Sequence, residues 1–157
     1  MPKTATLQGH KERDVYTIVY KVKNTVFFKQ TGHFPTQSQQ GKKYIMVMVE
    51  IDSSAILVEP INNCKNEELT QAYRTMMLRL RSAGIIPKNH ILDNEVSESL
   101  KTIIRNEYKI QIWLVPPRTH RINGAEVDIR NFKSHFLSGL AVTVQHFSPS
   151  LWDRLLP

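Results

Sequence analysis

Two acids stand out by position. Asp93 directly follows the short apolar run Asn89–Leu92, and Glu126 lies in the first turns of a basic helical stretch. An acid at a strand end and another at a helix start can converge on a divalent cation although they are far apart in sequence. Two-metal phosphoryl transfer asks for carboxylates clustered so that the ions sit ~3.5–4 Å apart, flanking an in-line displacement at phosphorus. Mg²⁺ prefers hard oxygen ligands and keeps part of its water shell, so two or three carboxylates suffice. Glu126, Arg130 and Lys133 follow at i, i+4 and i+7, a stripe placed opposite Phe132 and Phe136. One acid followed by two cations suits a metal beside phosphate contacts. Arg118, His120 and Arg121 add positive charge to the loop that enters this helix. A plainer assignment uses the same residues, with Asp93 as a turn acid beside Asn94 and Glu126 as a partner of the helix dipole or of Arg130. His120 has no cysteine or spaced histidine beside it, which argues against zinc.

Holding such a site together needs strands and helices in a particular order. Residues 1–13 carry no period and are expected to be a flexible lead-in. Val15–Val22 and Thr25–Gln30 are rich in β-formers and predict a hairpin or two adjacent strands. After turn material at Gly32, Pro35 and Gly41, Tyr44–Ile51 is almost uninterruptedly apolar, as in a central strand covered on both faces. Asp52-Ser53-Ser54 turns the chain into Ala55–Val58, which must pair antiparallel with it. Leu69, Tyr73, Met76, Met77 and Leu80 share one helical face. Asn66 is the expected cap, Glu67 and Glu68 fill the first turn, Arg79 and Arg81 the last, and Gly84 terminates. Strand Asn89–Leu92, helix Val96–Tyr108 and strand Lys109–Val115 follow, the last halted by Pro116-Pro117. A long helix over Ala125–Val142 buries Ile129, Phe132, Phe136 and Leu140, and helical character resumes after Pro149. Antiparallel strands followed by strand–helix units predict one mixed α/β domain over residues 14–157.

Composition narrows the partners. The 157 residues hold 21 Lys and Arg against 14 acids, a formal charge of +7 that favours polyanions. Cys64 is the only cysteine, so neither an intrachain disulfide nor a cysteine zinc cluster can form, and a reducing compartment is the natural setting. The polar N-terminus has no apolar signal-type segment, and no apolar run reaches the length of a membrane span. The expectation is an intracellular, soluble protein with no membrane partner.

The blocks TGHFP, GKKYIMVMVEIDSSAILVEP, LDNE, LVPPRTHRINGAE, IRNFKSHF and LWDRLLP resemble the catalytic core of retroelement integrases, nearest to the copia-like retrotransposon type. The resemblance spans roughly residues 15–157. It implies an RNase H-like fold, a five-stranded mixed sheet flanked by helices. In it Thr25–Gln30, Tyr44–Ile51 and Ala55–Val58 form an antiparallel meander, and Asn89–Leu92 and Lys109–Val115 add parallel to the first strand. It also implies DNA integration through a D-D-E triad with Mg²⁺ or Mn²⁺, dimerisation, and a nuclear location in a eukaryote. Asp93 matches the second acid and Glu126 the third, with 32 residues between them (126 − 93 − 1), slightly under the usual spacing. The first acid's position holds Lys29. An ammonium cannot ligate a cation, so strand transfer is expected to be impaired and Lys29 to pair with Asp93 or Glu126. Nonspecific DNA binding is expected through Arg118, Arg121, Arg130 and Lys133. Two alternatives stay open: an active enzyme using a displaced acid, Glu50 or Asp52, and a non-catalytic protein-interaction module.

Overall fold

The computed structural model describes residues 23–93, 96–115, 124–143 and 145–157; at 93, 115 and 124–126 it describes the backbone alone. The expected lead-in at 1–13, the strand at Val15–Val22, and the loop cations Arg118, His120 and Arg121 lie outside these residues. So does Asn94.

The described strands are β1 (Thr25–His33), β2 (Tyr44–Glu50), β3 (Ala55–Ile61), β4 (Asn89–Asp93) and β5 (Gln111–Val115). They form one five-stranded sheet in the order β3-β2-β1-β4-β5. β1 pairs antiparallel with β2 and β2 with β3, while β4 runs parallel to both β1 and β5. This is the expected mixed α/β sheet, consistent with the RNase H-like arrangement. The uninterrupted apolar run of β2 reflects its place inside the sheet between two layers: Ile45, Met46, Val47, Met48 and Val49 are all buried.

Strand alternation deals side chains to two layers. Val26 and Phe28 of β1, Met46 and Met48 of β2 and Leu92 of β4 face α1 (Asn66–Ser82) and α2 (Glu98–Asn106). There they meet Tyr73, Met76, Met77 and Leu80 of α1 and Leu100 and Ile104 of α2. Phe27, Val47, Val49 and Ile91 form the other face. It packs against α3 (Gly124–Val142) through Ile129, Phe132, Phe136 and Leu140, and against Trp152 in a closing 3-10 turn, Pro149–Leu155. Trp152 is fully buried, stacks on Phe34 at 4.2 Å and donates its indole N–H to the Thr36 carbonyl at 2.7 Å.

Several boundaries differ from expectation for identifiable reasons. Lys65, not Asn66, occupies the cap of α1, without a side-chain bond; Asn66 is already helical, and Asn63 Oδ1 accepts from the Lys65 N–H instead. α2 begins only at Glu98 because Ser97 caps it, its Oγ accepting from the Leu100 N–H. β5 starts two residues late because Lys109 adopts φ 57, which strand geometry cannot use. β3 continues through Pro60 to Ile61, tolerable because β3 pairs only with β2 among the described strands. β1 runs on to His33 through a register irregularity between Gln30 and His33, where Gly32 takes φ 76.

Candidate nucleic-acid interface

β4 ends at Asp93 beside the middle of the longer β1, and the carboxyl ends of parallel strands are where open α/β sheets present ligand sites. Their register pairs Phe27 with Ile91. Two residues further along each strand stand Lys29 and Asp93, so the ammonium-bearing position and the candidate acid occupy the same level on neighbouring strands. Lys29 shares its face with Phe27 and opposes Val47 on β2, which places it on the α3 side of the sheet, half-buried. Glu126 lies on α3, two turns before Lys133.

Lys133 departs from the sequence expectation. Its spacing from Glu126 and Arg130 predicts a position opposite the aromatic stripe; the packed face of α3 instead contains Ile129, Phe132, Lys133 and Phe136 together, at i, i+3, i+4 and i+7. The half-buried Lys133 lays its stem along that face and donates from Nζ to the Thr31 carbonyl at 3.0 Å. It ties the helix to β1 one pleat repeat beyond Lys29. Arg130 is exposed, as a phosphate contact requires. The cations of α3 therefore divide into one facing solvent and one holding the helix down.

The two acids considered as substitutes stand elsewhere. Glu50 pairs with Val26 across the β1–β2 ladder, three residues from Lys29 and thus roughly 10 Å along the strand. It is 2% exposed and commits its carboxylate to the following turn, accepting from the N–H groups of Asp52 and Ser53 and from the Ser53 hydroxyl. Asp52 accepts from the Asn24 N–H at 2.7 Å. Both acids close the opposite rim of the sheet, so the displaced-acid alternative lacks a nearby ligand in either. Among the described residues no three His, Cys, Asp or Glu side chains come together as a metal-holding group.

At the rim with Lys29, a cleft of about 470 Å³ opens between the N-termini of α1 and α2, lined by Phe28, Met46, Leu69, Leu100, Lys29 and Ser97 among others. It is mainly apolar.

A second basic region is not among the residues that motif and spacing single out. Lys23, Lys88 and Lys109 each stand just before a parallel strand, and all are exposed. The backbone gathers them: the Asn24 carbonyl accepts from the N–H groups of Lys88 and Asn89, and the Gln111 N–H donates to the Lys88 carbonyl at 2.9 Å. Their recurrence immediately before β-rich runs is the one signal of them in the sequence.

No protein-family model matches the sequence, and no curated protein matches it. In fold, a chain of the cryo-EM structure of the simian T-cell lymphotropic virus intasome in complex with PP2A regulatory subunit B56 gamma is similar, with a TM-score of 0.65 at 12% identity. The match covers 83% of this chain and 45% of that one, so this chain spans less than half its length. At that identity the likeness is one of fold.

Proposed function

We propose that this chain is an integrase-core-like domain that holds nucleic acid without carrying out strand transfer. The observation that carries the proposal is the level placement of Lys29 within β1 and Asp93 at the end of β4, where a D-D-E centre would need two acids. The fold likeness to a retroviral intasome chain and the +7 charge support the nucleic-acid half.

The donor set of this rim does not suit a two-metal centre. Magnesium or manganese there would meet an ammonium at Lys29, and a second cation, Lys133, is anchored on Thr31 of the same strand. Like charges a few ångströms apart in a partly buried site repel strongly. Asp93 and Glu126 remain the candidate carboxylates, and a lysine pairing with either would stabilise the metal-free state. Nucleic acid would be held through phosphate contacts from exposed Arg130 and from Arg118 and Arg121, nonspecifically and with affinity that falls steeply with salt. Lys133, engaged with Thr31, is withdrawn from that set.

Calorimetric titration with Mn²⁺ tests the catalytic half. The native chain should bind weakly and catalyse no strand transfer, and Lys29→Asp should gain at least ten-fold in Mn²⁺ affinity. Tight two-ion binding by the native chain would overturn the proposal.

A further inference from the structure

We infer that Trp113 is a base-stacking platform for single-stranded nucleic acid, fed by the lysine rim Lys23, Lys88 and Lys109 along the open side of β4 and β5. This rests on the nucleic-acid-binding role proposed above and specifies the form of nucleic acid that β5 takes.

Among the described residues, the sheet is unevenly covered. α3 lies over β1 and β2, and its apolar layer extends over the sheet only as far as Ile91 of β4. Trp113 pairs in register with Ile91 and so projects on the same side, one strand beyond that layer. It belongs to neither core cluster and is 39% exposed, whereas Trp152, the other tryptophan, is fully buried. An exposed indole on a strand is not in itself unusual. Here it is also oriented: the ring N–H points to Asn89 Oδ1 at 3.4 Å, and Asn89 Nδ2 in turn reaches the Lys23 carbonyl. A ring held at its edge keeps a face for stacking.

The charge around it decides the occupant. Lys23, Lys88 and Lys109 form no ion pair among the described residues. Of the acids beside them, Asp52 stands at this rim and accepts from the Asn24 N–H, and Glu107 pairs with Arg74 at 2.9 Å. A row of such cations beside an exposed aromatic is the combination by which proteins track a single strand, charge on phosphates and ring on base. A duplex keeps its bases stacked inside and offers no face to Trp113. The track would run up β5 from the lysine rim towards the end that holds Asp93 and Val115.

Fluorescence titration of the full chain with a labelled thymidine oligomer and with a duplex of equal length tests this. Because Trp152 is buried, quenching on stacking reports Trp113. The single strand should quench emission, and Trp113→Ala should weaken single-strand binding about ten-fold while leaving duplex affinity unchanged. Trp113→Phe, which keeps a ring and guards against misfolding, should retain most of the affinity. Lys88→Glu with Lys109→Glu should flatten the salt dependence by about 0.7 in log–log slope for each phosphate no longer neutralised. Binding without quenching, untouched by Trp113→Ala, would overturn the stacking inference while leaving the nucleic-acid role intact. Failure to bind either form would remove both. A change of oligomeric state in Trp113→Ala with unchanged single-strand affinity would reassign the surface to a second copy of this chain and overturn the inference.

Discussion

The two faces of the sheet are covered to different depths. On the α1/α2 side, Tyr73, Met76, Met77, Leu92 and Ile104 are completely buried and Leu100 nearly so. The polar groups admitted there are sealed. His90 is fully buried, stacks on Tyr73 with ring centroids 5.4 Å apart, and shares a hydrogen bond between Nδ1 and the Tyr73 hydroxyl at 3.1 Å. On the α3 side, Phe132, Phe136, Leu137 and Leu140 are only half-buried, and a lysine sits among them. The dry face supplies stability, and the thin face has room for charge.

The comparison is broken most directly by truncation. Leu100→Ala should cost ~2–5 kcal/mol, the range for a fully buried leucine. Phe136→Ala should cost roughly half the ~3–5 kcal/mol usual for a buried phenylalanine, because its ring is already part-exposed. Urea unfolding of both variants checks this, and equal losses would mean that the two faces contribute equally to stability.

A smaller effect, with a definite sign, comes from His90. Burial pushes its pKa down to about 3, below the ordinary value of 6.5, and Nε2 has no hydrogen-bond partner among the described residues. The unfolded chain takes up a proton as pH falls through ~6.5 while the folded one refuses it until about 3. Stability should therefore be complete above ~6.5 and decline by up to about 1.4 kcal/mol per pH unit on acidification across that window. His90→Gln should flatten the slope of unfolding free energy against pH between 4 and 6; an unchanged slope would assign it to other groups.

The smallest change sharpens the account of the thin face. Lys133→Met keeps the apolar stem and removes the ammonium bonded to Thr31, so it should cost about 1 kcal/mol. It should leave nucleic-acid affinity nearly unchanged, whereas Arg130→Met should weaken binding without touching the melting temperature. Parallel thermal melts and binding isotherms distinguish the two.

What can be anticipated from the sequence follows the same division. The continuous run of β2, the stripe of α1 and the strand–helix–strand order of β4, α2 and β5 are legible because each carries a strong period and a buried consequence. Pro60 reads as a terminator in the sequence, yet its effect depends on whether a strand lies inside the sheet or at its margin, which only the assembled sheet decides. Lys133 misleads for a related reason: a cation on a helix suggests the solvent side, although a long stem can lie in an aromatic layer while its head reaches a carbonyl 102 residues away. Lys29 stands out because its neighbours resemble a motif, and its level with Asp93 becomes visible only through the β1–β4 register. Trp113 carries no sequence signal separating it from core; its exposure results from how far α3 extends.

The contacts that fasten the α3 side also link distant parts of the chain. Lys133 to Thr31 closes 102 residues and Trp152 to Thr36 closes 116, whereas Tyr73 to His90 closes 17. Loop-closure entropy rises with the length enclosed, and contacts distant in sequence slow folding. The chain is therefore expected to assemble from α1 and the strands flanking it outward. The lysine-bearing layer would dock last, so a chain still emerging during synthesis would have its dry core organised before its basic face is complete.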